Sequence, residues 1–319
     1  MRDHIDSFEQ INRGYDSTFQ AGRLSLGLVV PIAAYPDGPV PDMTNHLARV
    51  QQAEALGFRA VWLRDVPFNV PSFGDAGQLY DPFTYLGYLA GQTSEIALGV
   101  ASIVLPLRHP AHVAKAAASV DQLSGGRLIL GVASGDRPEE YPAMNADFDG
   151  RGAAFRAAFD YIRAMGTAAP RIDTQFGRTD GTIEMLPKPQ GAHLPLLITG
   201  SSRQSPEWIA RNGDGWMTYP RPGVAQDRVL QDWRARLHSQ GQPMKPVLQP
   251  LYIDLSENPD DGPEPIHLGV RAGRRWLTTY LKHLEEIGVH HVALNLRFNR
   301  APIDRTLDRL AQDVLPQFA

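Results

Sequence analysis

IALGVASIVLPLRHPAHVAKAAASVDQLSGGRLILGVASGDRP, residues 96–138, is the stretch whose reading decides the fold. It opens on a nearly continuous apolar run, Ile96 to Leu105, as expected of a strand buried on both faces. A helix of Ala111 to Gln122 follows Pro110, and RLILGVA (Arg127 to Ala133) is a second buried strand. Strand, helix, strand within about forty residues is a parallel crossover unit. Working outward, the unit recurs. LSLGLVV (Leu24 to Val30) and RAVWL (Arg59 to Leu63) are strands one and two, Ile96–Leu105 is three and Arg127–Ala133 four. LPLLITG (Leu194 to Gly200), GWMTY (Gly215 to Tyr219), PVLQPLYIDL (Pro246 to Leu255) and HVALNL (His291 to Leu296) complete eight.

Helical patterns lie between them. Asp42 reads as the cap of a helix carrying Leu47, Val50, Ala53 and Leu56 and ended by Gly57. Further helices are read at Pro82 to Ser94, Gly152 to Met165, Pro206 to Asn212, Ala225 to His238, around Leu277 to Ile287, and at Ile303 to Leu315. Eight strand–helix repeats predict an α/β fold, a single closed (β/α)8 TIM barrel; an open doubly wound sheet is the runner-up. Two stretches break the rhythm. Residues 167–192 read as an insertion between strands four and five, with a short hairpin, and Ser256 to Pro265 as an acidic, proline-rich loop. Residues 1–23 are read as an N-terminal extension and 24–319 as the barrel domain.

Composition narrows the function. There is no cysteine among 319 residues, which removes disulfide frameworks, thiolate metal sites and thiol nucleophiles. The formal charge of −4 and a pI near 6.2 argue against a nucleic-acid-binding face. No apolar run approaches the roughly 20 residues of a membrane helix. The N-terminus carries scattered acids and no secretory pattern, so a cytoplasmic protein without membrane association is expected.

Barrel enzymes carry their chemistry on the loops that follow the strands. Those loops hold Arg64 and Asp65 after strand two, Ser102 and Arg108 in and after strand three, and Ser134, Gly135, Asp136 and Arg137 after strand four. After strand five comes GSSRQS (Gly200 to Ser205), followed later by Tyr219, Asp254 and Arg297. GSSRQS offers glycine, three hydroxyls, an Arg and a helix start. The residues alone leave two readings open, a phosphate cradle or an ordinary capped helix with a solvated Arg. His109 and His112 have a chelating spacing but no third ligand, so no metal site is read. GVASG is not a nucleophile elbow, and GVASGD lacks the dinucleotide glycine spacing.

The linked stretch from LGVASIVLPLRHPAHV through GVASGDRPEEYPAM, with AEALGFRAVWLRD, LPLLITGSSRQSPEWIARNGDGWM and LKHLEEIGVHHVALNL, resembles the luciferase-like family of flavin-dependent oxidoreductases. That resemblance implies the same barrel. It implies a cis peptide at Ala101–Ser102 beneath a flavin ring, and phosphate contacts from Ser134, Gly135, Gly200, Ser201, Ser202 and Ser205. It implies an FMN-dependent monooxygenase that uses reduced flavin, supplied by a flavin reductase or NAD(P)H, and O2 on a small organic substrate, as a homodimer. The alternatives are deazaflavin-dependent hydride transfer and flavin binding without turnover. One departure stands out. Luciferases place a Glu-His-His stretch after strand two; here the segment reads Leu63-Arg64-Asp65, so Asp65 is the nearest counterpart of that His. Arg64 and Asp65 are therefore the candidate catalytic pair, read as an ion pair at the mouth or as substrate-orienting groups. Trp62, Trp216 and Tyr219 are candidates for the pocket wall.

Overall fold

A computed structural model describes residues 7–318. Its strands run in chain order as β1 (Ser25–Val29), β2 (Ala60–Leu63), β3 (Ala97–Val104), β4 (Leu128–Ala133), a β5–β6 hairpin (Arg171–Thr174 and Gly177–Asp180), β7 (Leu196–Thr199), β8 (Gly215–Met217), β9 (Val247–Leu255), a β10–β11 hairpin (Glu264–Ile266 and Gly269–Ala272) and β12 (His291–Asn295). β1, β2, β3, β4, β7, β8, β9 and β12 pair in parallel, and β12 returns to β1 in register, Ser25 opposite His291. The eight-stranded barrel is therefore closed, and its strands are the eight expected from sequence.

Both faces of the barrel wall are buried, which is why the strands read as continuous apolar runs. Val61, Leu63, Leu98, Val100, Leu128, Leu130, Leu196 and Ile198 face the surrounding helices. Ala60, Trp62, Ala97, Ile129, Leu197, Leu248 and Ala293 form a separate interior cluster. Alternate residues thus supply two cores, as the two-residue period of a strand requires. Trp62 is too large for a crowded barrel interior unless its neighbour yields space. Gly99 does so: a Cβ there would lie 2.3 Å from the indole.

The helices are α1 (Arg13–Thr18), α2 (His46–Ala55), α3 (Pro82–Ala90), α4 (Pro110–Leu123), α5 (Glu140–Ala143), α6 (Arg151–Met165), α7 (Pro206–Asn212), α8 (Gly223–Ser239), α9 (Arg274–Ile287) and α10 (Ile303–Arg309). Phe8, Ile11, Tyr15 and Phe19, around α1, join the interior cluster and seal one mouth of the barrel. Asn12 fastens this plug by donating to Asp121 (2.9 Å) and to the Leu128 carbonyl (2.8 Å), and Tyr15 donates to the Asp214 carbonyl.

Two expectations fail locally. Asp42 does not cap α2. It folds back to accept the Thr44 N–H at 2.8 Å, and the helix starts four residues later behind Asn45. A short side chain that bonds its own backbone two residues on competes with capping. The segment after β9 is not all loop. Residues 264–272 form the β10–β11 hairpin, and β11 lies parallel to Tyr252–Leu255 of β9. Strands of three and four residues carrying Pro265 and charged side chains leave no alternation to read. The insertion does contain its hairpin, pinned to α4 where His109 meets the Phe176 carbonyl.

Candidate functional site

At the mouth opposite the plug, the strand ends enclose a cavity of about 670 Å³, a volume suited to a bound organic molecule. Its floor is apolar: Val29, Trp62, Leu248 and Ala293. Trp62 is held by donating Nε1–H to Nε2 of His291 at 2.9 Å, and His291 Nδ1 meets the Ser25 hydroxyl at 2.6 Å. Since Nε2 accepts, the ring is the neutral Nδ1–H tautomer. Burial agrees, pushing its pKa down to about 3. His291 is a fixed structural acceptor beneath the floor, and its neighbour His290 accepts the Val247 N–H.

One wall is the end of β3. The Ala101–Ser102 peptide is cis, and the β3–β4 register shifts between Val100 and Ile103. Ser102 is hydrogen-bonded to Thr199 on β7. On the same side, Ser134 and Gly135 after β4 and Ser201, Ser202 and Arg203 after β7 line the cavity, joined by Arg151 at the start of α6. Gly135 has φ +74°, and a Cβ there would lie 2.7 Å from Val104 and 2.9 Å from the Tyr141 hydroxyl. That loop folds only with glycine. Gly200, Ser202 and Arg203 all adopt positive φ (56°, 43° and 60°), a turn that concentrates backbone N–H groups. Gly200 and Ser205 stand behind the lining rather than in it. The Gly200 carbonyl accepts from Trp216, and Ser205 caps α7 by accepting the Trp208 N–H. Ser202 donates to the Thr199 carbonyl, and the exposed Ser201 hydroxyl accepts the Arg203 N–H at 3.4 Å.

The other side is charged, and its pairing differs from the expected one. Arg64 and Asp65 both line the cavity but do not pair with each other. Asp65, 1% exposed at its side chain, is bound by Arg108 through Nε (2.9 Å) and Nη2 (2.7 Å), and also accepts the Val104 N–H. Adjacent residues on a strand end point to opposite sides, so neighbours in sequence are poor partners. Arg64 instead holds Asp75 at 2.7 Å and donates to the Tyr35 hydroxyl at 3.0 Å. Arg297, following β12, reaches the same Asp75 oxygen at 3.0 Å. Burial alone would push the Asp75 carboxyl up; Arg64, the Gly77 N–H and Arg297 reverse that and hold it below its ordinary value. Arg137 lies over the Phe73 ring and donates to the Asp75 carbonyl. Glu140, 3% exposed, is 3.6 Å from Arg137 with no hydrogen bond between them, and burial raises its pKa.

Sequence reasoning missed Asp75, Glu140, Arg151, Tyr252 and His267 in this lining, and Tyr35, whose hydroxyl holds Arg64. None stands directly after a barrel strand; Tyr252 lies inside one. Glu140 in DRPEEY and Asp75 in FGDAG carry no local motif. Of the expected aromatics, Trp62 and Tyr219 line the cavity, while Trp216 packs on Trp233. Asp254 also lies outside, paired with Arg271 and Arg300.

Comparison with known proteins agrees with this fold. The sequence model described as luciferase-like monooxygenase matches residues 23–261. A protein of Mycobacterium tuberculosis (strain H37Rv) is 30% identical over 242 residues, which cover 70% of this chain and 83% of that one. Among solved structures, monooxygenase RslO1 from Streptomyces bottropensis superposes with a TM-score of 0.77 at 20% identity, over 92% of this chain and all of that one. An F420-dependent secondary alcohol dehydrogenase, in complex with an F420–acetone adduct, gives 0.74 at 15%, over 93% and 99%. The oxygenating constituent of 3,6-diketocamphane monooxygenase from Pseudomonas putida, in complex with FMN, gives 0.72 at 13%, over 93% and 99%.

Proposed function

The chain belongs to the luciferase-like monooxygenase family and is an enzyme of that class, and from this premise we propose that it is an FMN-dependent monooxygenase acting on a small organic substrate. The observation that carries the reading is a single cavity with two unlike parts. An apolar floor stands on one side of it, and a glycine- and serine-lined turn flanked by Arg151 and Arg203 closes one end. The residues fit the group: the cradle exists only because Gly135 lacks a Cβ, and in the turn at 200–203 the Ser201 hydroxyl accepts the Arg203 N–H and keeps its own proton to donate to a phosphate.

Reduced FMN, when bound, supplies the electrons that activate O2 for transfer of one oxygen atom. The chain's own residues do the rest. Ser134, Gly135, Ser201 and Ser202 would hold the phosphate, with Gly200 and Ser205 fixing the loop behind them. Ala101 and Ser102 would support the ring, and the Ser102–Thr199 pair ties β3 to β7. Trp62, Leu248 and Ala293 exclude water from the floor. Arg64 and Asp65 orient the substrate, with Asp65 acting through Arg108 rather than as a free base. The reduced cofactor comes from a reductase or from NAD(P)H, and the enzyme works as a homodimer.

Hydride transfer from a deazaflavin is the second reading. It is favoured by the F420-dependent dehydrogenase among the structures that share this fold, and it uses the same cavity. One experiment separates the two: absorbance titration of the purified protein with FMN and, in parallel, with the deazaflavin. The expected result is saturable FMN binding and O2 uptake once the flavin is reduced. Deazaflavin binding alone moves the chemistry to hydride transfer, and binding of neither removes the cofactor reading.

A further inference from the structure

The cavity has a second cationic end, across the barrel from the serine turn. Arg64 follows β2, Arg297 follows β12, and Arg137 crosses from the β4 loop to meet them at Asp75. Arg64 and Arg297 share the Asp75 carboxylate, whereas Arg137 bonds only its main-chain carbonyl and has Glu140 at 3.6 Å. Their side chains are only 18%, 10% and 9% exposed, and Nε of Arg64, Nε of Arg297 and Nη1 of Arg137 have no hydrogen-bond partner.

The other acids nearby balance them only in part. Asp65 is bound by Arg108, which also holds the half-exposed Asp81. Asp136 lines the same cavity from a solvent-exposed position. Glu140 lies 3.6 Å from the Arg137 guanidinium without a hydrogen bond between them, and burial raises its pKa. Buried positive charge without a partner is costly, and Arg forks match carboxylates through paired N–H bonds. The opposite wall is apolar (Val29, Trp62, Leu248, Pro250 and Ala293), with Phe298 beside Arg297.

We propose that the substrate is an organic acid, its carboxylate held by Arg64, Arg137 and Arg297 and its apolar body laid against the Trp62 floor. This deepens the proposed function and rests on it only in that substrate and cofactor share one cavity. Arg137 contributes most that is free to bind, because Arg64 and Arg297 already hold Asp75. The same chemistry could be met by an acidic tail of a deazaflavin, so the test separates the two sources.

Benzoate and benzamide, equal in size and differing in charge, are titrated calorimetrically into the cofactor-free and the FMN-loaded protein. The expected result is at least tenfold tighter binding of benzoate in either form. Arg137→Met should bring the two ligands within threefold, with benzamide and FMN affinity unchanged, while Arg137→Lys, keeping the charge, should retain part of the preference. Circular dichroism confirms that the variants are folded. Equal binding of the two ligands by the wild type overturns the proposal, as does a preference untouched by both Arg137→Met and Arg64→Met. Loss of deazaflavin affinity in Arg137→Met without any benzoate binding assigns the site to a cofactor tail and also overturns it. A benzoate preference in the cofactor-free protein that fails to bind FMN supports the anion site while removing the FMN reading.

Discussion

The two mouths of the barrel are made from the same alternating strands and finish in opposite states. Below the floor, Trp62, His291, Ser25 and the Thr18 carbonyl form a chain in which each donor meets an acceptor, and Tyr15 and Phe19 shut out solvent. At the open mouth, Arg64, Arg137, Arg151, Arg297 and Glu140 each leave a buried polar atom without a partner. Native proteins satisfy nearly all buried polar groups; at the closed end the Thr18 hydroxyl also lacks a partner, whereas five residues lining the open cavity each carry such an atom. The closed end stores stability and the open end gives some up for binding.

The sharpest way to break this comparison is His291→Leu at the closed end. The change strands the Trp62 N–H and removes the acceptor that fixes the indole. Each unsatisfied buried group costs about 1–3 kcal/mol, and poor packing of the new side chain adds to that. The expected loss is about 3–5 kcal/mol of unfolding free energy in a denaturant titration. A loss below about 1 kcal/mol would mean the chain of bonds is not what holds the floor.

The pH dependence should fall on the same end. His290 and His291 are buried neutral, with pKa values pushed down to about 4 and 3 by desolvation. In the unfolded chain they titrate near 6.5, so between that value and the folded ones the unfolded state binds more protons. Stability therefore rises with pH through this window and is lost as pH falls below about 6.5. The expected decline is about 2 kcal/mol from pH 6 to pH 5, absent in His291→Gln to the extent of that one residue. A flat profile would show that these imidazoles are hydrated.

The open end is tested by affinity. Ser201→Ala with Arg203→Met removes a hydroxyl and a guanidinium from the proposed phosphate end. The expected effect is a tenfold or greater loss of FMN affinity, the order of one charge-assisted hydrogen bond, with thermal stability of the cofactor-free protein unchanged. Equal loss of stability would place these residues in the scaffold instead.

The difference between the ends also explains what the sequence could disclose. All eight barrel strands were legible because both of their faces are buried, so apolarity runs nearly unbroken from Leu24 to Val30 and from Leu128 to Ala133. The strand-end residues Arg64, Ser102, Ser134, Arg137 and Arg297 were legible because the fold fixes where strands end. The partners were not. Arg64 beside Asp65 suggests a pair, yet the pleat sends Asp65 to Arg108 and Arg64 to Asp75, and no local pattern foretells a contact across ten or forty residues. The β10–β11 hairpin was hidden for a related reason: its short strands gain their register from β9, not from their own alternation.

The smallest expected effect sharpens the comparison most finely, because its sign differs at the two ends. Glu140 is buried at the open mouth with a pKa raised by desolvation. In the pH range between its ordinary value and the raised one, the folded state binds more protons than the unfolded state, so this group favours folding as pH falls, opposite to His290 and His291. Glu140→Gln replaces a carboxyl that ionises at higher pH by a neutral side chain of the same shape. Relative to wild type, the variant should be slightly more stable at pH 8, by about 1–2 °C in Tm, and that advantage should shrink as pH falls and the wild-type carboxyl takes up its proton. Stabilisation that grows rather than shrinks toward acid would mean that Glu140 is held ionised by Arg137, and the open mouth would then carry one uncompensated cation fewer than the geometry assigns to it.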